Sequence, residues 1–454
     1  MPIQSINPAT GNVIKSFDEL SDEQVESKLT ASQNAYNTWK YTSLEERAEY
    51  MRNAASAVRD SSEDYARLLT QEMGKVITEA RAEVEKCAFN FDHFADSAHD
   101  YLSPRTVVTD ASESYVSYEP LGPILIIMPW NFAFWQVLRM AAPILLAGNT
   151  IVLKHASNVP ESALAIENIF RKAGFPEGVF QTLLIGSSKI EKIIEHPIIR
   201  GVSLTGSEPA GRAVGAQAGK NIKPVVLELG GSDPSIVLAD ADLDMTVKAA
   251  SYSRLLNNGQ SCIGSKRYIV VEAIYDQFME KLLAEFKTYV PGDPMLDETK
   301  IGPVVSQDSL DEVLGQVQRA VDAGATIELG GKQLDRPGSF LAPTILSNIT
   351  SDVPTYYEEI FGPVASVIKV KDENEAIEVA NATDFGLGSS IYTADVEHGK
   401  TLVPRIEAGC VFINGMVKSD PRLPFGGIKN SGIGRELSAE GARAFTNVKS
   451  VWIK

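Results

Sequence analysis

The chain has 454 residues, 44% of them apolar and 22% charged, and 42 Lys+Arg against 59 Asp+Glu give a formal charge of -17. The length predicts more than one hydrophobic core, and the composition excludes a disordered or low-complexity chain. So acidic a surface repels phosphate backbones and anionic membranes, which argues against a nucleic-acid or membrane partner.

Cys87, Cys262 and Cys410 lie far apart with no CxxC or CxxH spacing, and the five histidines include no HExxH pair. Neither a disulfide framework nor a metal site is expected. The stretch Met1 to Asn7 lacks the basic start and apolar run of a signal peptide, and with unpaired cysteines this predicts a cytoplasmic protein.

In chain order, Ser43 to Arg59 and Glu63 to Phe94 read as long amphipathic helices, with Met51, Ala54, Ala55 and Val58 on one face. Arg105 to Thr109 and Ser114 to Glu119 alternate like strands around a turn-prone Asp110 to Glu113, which predicts a hairpin. Pro120 to Leu138 carries no charge and could cross a bilayer, but Pro123, Pro129, Asn131 and Gln136 interrupt it. A buried strand, a loop and the start of a helix fit better.

From residue 120 onward, short apolar runs alternate with helical segments. Ile124 to Met128, Thr150 to Leu153, Phe180 to Leu184 and Gly201 to Leu204 form one series, with Pro160 to Ala173 and Ser188 to Glu195 between them. Ser235 to Leu238, Arg267 to Val271, Val364 to Ile368 and Val411 to Ile413 form a second, separated by helices near 273–288, 307–323 and 374–382. This rhythm predicts an α/β fold with parallel sheets covered by helices on both faces. The tail, Thr446 to Lys454, alternates like an edge strand that needs a partner, so association between subunits is expected.

The central stretch Asn257-Asn258-Gly259-Gln260-Ser261-Cys262 favours an exposed, tightly turned backbone. Cys262 reads equally as an accessible nucleophile or as a buried structural thiol. Thr205 to Gly211 is a Gly-containing turn between a strand and a helix, suited to phosphate but neither GxGxxG nor a P-loop. Glu228 ends an apolar run, where burial would make it a base or an ion pair would make it structural. Asn131, an amide in apolar surroundings, is a structural linker or an oxyanion donor. Glu358 to Pro363 and Pro424 to Gly432 are further loops rich in Gly, Pro and aromatics.

Taken together, from Asn7-Pro8-Ala9-Thr10-Gly11 to Gly434-Arg435-Glu436, these segments resemble the NAD(P)-dependent aldehyde dehydrogenase family over nearly the whole chain. The resemblance implies a Rossmann-like cofactor domain (1–104 and 120–228, with 414–435 returning to it), a catalytic α/β domain (229–413) and a small β oligomerisation element (105–119 and 436–454). It also implies that Cys262 attacks an aldehyde, that Asn131 and the Cys262 N–H hold the oxyanion, and that Glu228 activates the water that hydrolyses the thioester. Trp130, Lys154, Gly206, Ser207, Glu359 and Phe361 would surround the cofactor. Ser157 stands where NAD-preferring members often carry Glu, so NADP is expected, with NAD weaker.

Within the family the sequence most resembles bacterial succinate-semialdehyde dehydrogenases. Arg139, the only charge between Pro120 and Leu153, would anchor the substrate carboxylate or form an internal ion pair. Ser419 would add a hydroxyl. Leu256 and Gly264 stand where relatives carry a second Arg and a second Cys, so one substrate cation and an adjacent-thiol switch are absent. Another small or medium aliphatic aldehyde, a non-catalytic protein on the same fold and a redox-free Cys hydrolase are the rival readings; a homodimer or dimer of dimers is the expected assembly.

Overall fold

The computed structural model describes residues 3–454; Met1 and Pro2, where the stretch read for a leader begins, lie outside the described residues. The first sheet has six strands in the order Gly432–Ile433, Val225–Glu228, Gly201–Thr205, Pro123–Met128, Thr150–His155 and Phe180–Thr182. All neighbours are parallel except the first pair. Its central strands are mainly apolar because both faces are covered. Ile124, Ile126, Ile151 and Leu153 enter one core while Leu125, Val152, Val202 and Leu204 enter another, as the two-residue period of a strand requires.

The second sheet has seven strands, Thr326–Leu329, Thr344–Ser347, Val364–Val370, Arg267–Val271, Pro234–Val237, Gly388–Tyr392 and Cys410–Ile413. It divides its side chains in the same way. Ile236, Ile269 and Ile368 pack on one face, and Val237, Tyr268, Val270 and Val367 on the other. A third, three-stranded sheet pairs Thr446–Ile453 with Glu113–Pro120, and that strand with Arg105–Thr106.

The helix expected from Glu63 to Phe94 is two helices, Ser62–Met73 and Ile77–Asp96. Gly74 breaks it at φ +77°, and a Cβ there would stand 2.8 Å from Pro303 Cγ. A left-handed C-terminal residue is what Gly supplies at no steric cost, and it turns the Gly74 carbonyl out of the helix. The structure adds the helix Leu243–Leu255 and the hairpin of Ile3–Ile6 with Val13–Phe17, whose apolar periodicity is weaker. Among the described residues no helix is long and apolar enough to cross a membrane.

Candidate active site

In the first sheet the chain runs outward from Pro123–Met128 to Phe180–Thr182, then returns to the other side for Gly201–Thr205. The order therefore reverses between the strands ending at Met128 and Thr205. Crevices beyond the C-terminal ends of strands at such a reversal are where α/β sheets bind ligands. Trp130 and Asn131 follow one of these ends, and Gly206 and Ser207 the other. The Gly206 N–H donates to the Glu228 carbonyl at 2.9 Å, which ties this turn to the end of the next strand.

The stretch 257–262 is tightly turned but not exposed. Asn257, Asn258 and Gly259 all take positive φ, and residues 257–261 are buried. Side-chain amides replace water as partners for this backbone. Asn258 Nδ2 donates to the Gly74 carbonyl (2.9 Å) and the Pro303 carbonyl (2.7 Å), and its Oδ1 accepts from Gly302 N–H. Gln260 Oε1 accepts from Val305 N–H at 2.8 Å, and Asn257 Nδ2 donates to the Asn131 carbonyl at 2.6 Å. The stretch is polar because the amides build the loop, and the break at Gly74 serves the same loop.

Cys262 is half-buried and lines a cavity of about 150 Å³ with Phe132, Trp135, Arg139 and Ser419. Asn131 is buried beside it. Its Nδ2 donates to the Gln260 carbonyl at 3.1 Å, and Oδ1 has no partner. Nδ2 carries a second hydrogen beyond the one given to Gln260, and this N–H, next to the Cys262 loop, can donate to a developing oxyanion. Burial pushes the Cys262 thiol up to about 12, although the Lys266 and Arg139 charges pull against it. The resting sulfur is therefore protonated and needs a base.

Glu228 is buried, and neither carboxylate oxygen has a hydrogen-bond partner. Burial first, and the Glu436 charge second, hold its carboxyl well above the usual range, while Arg139 and Arg435 favour the carboxylate. A Cβ on Gly426 would stand 2.6 Å from Glu228 Oε1, so this glycine leaves room for the carboxyl. The adjacent Phe425 lines the Cys262 cavity, and the Arg139 charge acts on both Glu228 and Cys262.

Arg139 lines that cavity but does not stand ready for a substrate carboxylate as its main partner. Its Nε lies 2.5 Å from Glu436 Oε2, and both side chains are buried. The internal ion pair left open by the sequence is the one formed. Its cause is local: Glu436 and Phe425 exchange two backbone hydrogen bonds (2.7 and 2.8 Å), which deliver the carboxylate to the helix Trp135–Leu146.

For a dinucleotide the donor set fits. Ser207 sits at the N-cap of the helix Glu208–Lys220 without capping it, so first-turn N–H groups face outward where phosphate is favoured. Lys154, buried at the end of its strand, is held below the usual ammonium range by burial, and no carboxylate pairs with it among the described residues. Ser157 is half-buried in the following loop, where its carbonyl accepts from Gln4 N–H at 3.2 Å. Trp130 and Phe361 form an edge-to-face pair with centroids 5.8 Å apart.

Glu359 is engaged by the protein itself. Lys266 Nζ lies 3.1 Å from Glu359 Oε1 and donates to the carbonyls of Ser261 (2.7 Å) and Cys262 (2.6 Å). Lys266, four residues past Cys262, looks in the sequence like an ordinary strand-edge lysine, and Glu436 carries no local signal of its pairing with Arg139. None of the residues lining the Cys262 cavity is His, the partner a redox-free Cys hydrolase would need.

The sequence profile of the aldehyde dehydrogenase family matches residues 1–451. A protein named probable succinate-semialdehyde dehydrogenase (NADP(+)) from Synechocystis sp. is 49% identical over 453 residues, covering 100% of both chains. Succinate-semialdehyde dehydrogenase (NADP(+)) from Mycobacterium avium is 48% identical, covering 100% of this chain and 97% of its own. Among solved structures, succinic semialdehyde dehydrogenase from Streptococcus pyogenes in complex with NADP+ superposes with a TM-score of 0.97 at 42% identity, covering 99% of each chain. Betaine aldehyde dehydrogenase from Staphylococcus aureus in complex with NAD+ superposes at 0.95 with 30% identity, covering 99% of this chain and 91% of its own. A switch-point crevice, a cysteine loop lining a cavity and full-length identity of this degree agree: this chain belongs to the aldehyde dehydrogenase family.

Proposed function

We propose that this protein oxidises succinate semialdehyde to succinate with NADP+ as the hydride acceptor. The reading is supported by Cys262 lining a cavity, by the Asn131 amide bonded to the Cys262 loop and by the buried, unpartnered Glu228 carboxyl beside Gly426, whose neighbour Phe425 lines the same cavity, in a chain about half identical to NADP(+)-type succinate-semialdehyde dehydrogenases along its full length. Cys262 Sγ, its proton passed to solvent, bonds to the aldehyde carbon, and the Asn131 amide with the Cys262 N–H takes the charge that develops on oxygen. NADP+ supplies the chemistry of accepting the hydride that leaves this carbon, and a thioester to Cys262 is left. Glu228 in its carboxylate form takes a proton from water, whose oxygen bonds to the thioester carbon as the C–S bond breaks. Arg139 and Arg435 favour that carboxylate; Glu436 opposes it.

Trp130, Lys154, Ser157, Gly206, Ser207, Glu359 and Phe361 would hold the cofactor. Lys154 with the neutral Ser157 suits a 2′-phosphate that a carboxylate would repel. Val448, Trp452 and Ile453 are exposed on the edge strand of the third sheet, which supports a homodimer or dimer of dimers. The test is a matrix of kcat/KM values for succinate semialdehyde and butanal with each dinucleotide. The highest value is expected for succinate semialdehyde with NADP+. A preference for butanal or for NAD+ would overturn the corresponding half of the reading.

A further inference from the structure

Lys86 lies on the helix Ile77–Asp96 and lines the same cavity as Cys262. Its ammonium sits 4.0 Å over the Trp135 ring and donates to Ser419 Oγ at 2.9 Å. Among the described residues no carboxylate pairs with it. The two carboxylates on the neighbouring turns are already committed. Glu83 pairs with Lys75 and accepts from the N–H groups of Phe134 (3.1 Å) and Trp135 (3.0 Å), and Glu79 accepts from Asn257 N–H at 2.8 Å.

Ser419 Oγ is in an informative state. It accepts from Lys86 Nζ and also from Trp135 Nε1 at 3.0 Å. A hydroxyl offers two acceptor positions and one hydrogen. Both acceptor positions are filled by cationic or N–H donors, so its hydrogen must point elsewhere, and two ammonium hydrogens of Lys86 are likewise uncommitted. Glu79, Glu83 and Gln136 also line the cavity and carry acceptors, but none of them bonds to Lys86 or Ser419, so the free donors of this pair, with an uncompensated cation, are matched by an anion with two oxygens. Arg139 is neutralised by Glu436 and Lys418 is exposed to solvent, which leaves Lys86 as the less hydrated cavity-lining cation without a countercharge.

We propose that Lys86, together with the Ser419 hydroxyl, anchors the distal carboxylate of the substrate and sets specificity for semialdehydes of dicarboxylic acids over uncharged aldehydes. The inference rests on the succinate semialdehyde reading above. The test is the ratio of kcat/KM for succinate semialdehyde to that for butanal in the wild type, Lys86→Met and Ser419→Ala. Lys86→Met is expected to lower the ratio about 10- to 100-fold, and Ser419→Ala to lower it less. A wild type with no preference for succinate semialdehyde would defeat the functional reading. A wild-type preference that Lys86→Met keeps within about threefold would defeat the role of Lys86 alone.

A second readout needs no variant. Burial lowers the Lys86 ammonium to about 8, with the Arg139 charge adding to the effect and Cys87, Glu83 and Asp420 opposing it. Lys418 also lines the cavity, and Asp420 is held by Arg422 at 2.6 Å. The substrate carboxylate stays ionised, and Cys262 and Glu228 act on both aldehydes alike, so their titration cancels in the ratio. Glu79, which also lines the cavity and is pushed up to about 7 by burial, does not cancel, and its ionisation lowers the ratio near pH 7 in Lys86→Met as well as in the wild type. The ratio is therefore expected to fall as pH rises through about 8. A ratio that stays level from pH 7 to 9.5 would overturn the proposal.

Discussion

Glu436→Gln removes one charge from the buried group of Arg139, Glu436 and Glu228 while keeping the side-chain shape. Arg139 would then be a buried guanidinium without its carboxylate, and breaking such a pair costs about 3–5 kcal/mol. At ~2 cal/mol/K per residue over 454 residues, about 1 kcal/mol corresponds to one degree, so the melting temperature should fall by ~3–5 °C. If the first sheet and its helices melt as a separate half, the fall is about twice that. The same change acts on catalysis. The Glu436 charge helps to hold the Glu228 proton, so its removal lowers the Glu228 pKa, and the uncompensated Arg139 lowers it further. The carboxylate then forms at lower pH, and the rising limb of kcat against pH moves toward acid. Calorimetry and a kcat–pH profile check both parts. A melting temperature within about one degree of wild type, together with an unmoved rising limb, would refute the coupled-cluster argument.

Arg139→Ala should lower kcat/KM for succinate semialdehyde and butanal by similar factors, because Arg139 acts through Glu436 and Glu228; a loss confined to succinate semialdehyde would restore it as the carboxylate anchor. Ser157→Glu should shift the NADP+ to NAD+ ratio of kcat/KM by about tenfold or more toward NAD+, through like-charge repulsion of a 2′-phosphate, as read from steady-state kinetics with both cofactors. Alkylation of Cys262 by iodoacetamide in the cofactor-free protein should accelerate by about tenfold per pH unit without levelling below pH 10, since only the thiolate reacts and burial holds the thiol up to about 12; a plateau near pH 8 would contradict this.

The parallel sheets were legible because strands buried on both faces, such as Pro123–Met128, read as unbroken apolar runs. Motif order singles out the candidate site residues but says nothing of their surroundings. Asn257 to Ser261 looked like a surface turn because composition cannot distinguish amides that face water from amides that bond a buried backbone. The break at Gly74 was hidden because Gly inside an Ala- and Glu-rich run costs only about 1 kcal/mol, and its reason, Pro303 and Asn258, lies far along the chain. Lys86 is one of several lysines on a periodic helix. Only its bond to Ser419, 333 residues away in sequence, sets it apart. Arg139 carried two readings because its partner comes from the last helix-bearing segment, beyond the reach of local pattern.

The central claim is that Cys262 forms a thioester whose hydrolysis depends on Glu228. Rapid mixing of Glu228→Gln with NADP+ and succinate semialdehyde, followed by NADPH absorbance, tests it most directly. The account predicts a burst of one NADPH per Cys262 site and then a stall, with a labelled acyl group recoverable on Cys262. Full steady-state turnover without a burst would show that another group supplies the base.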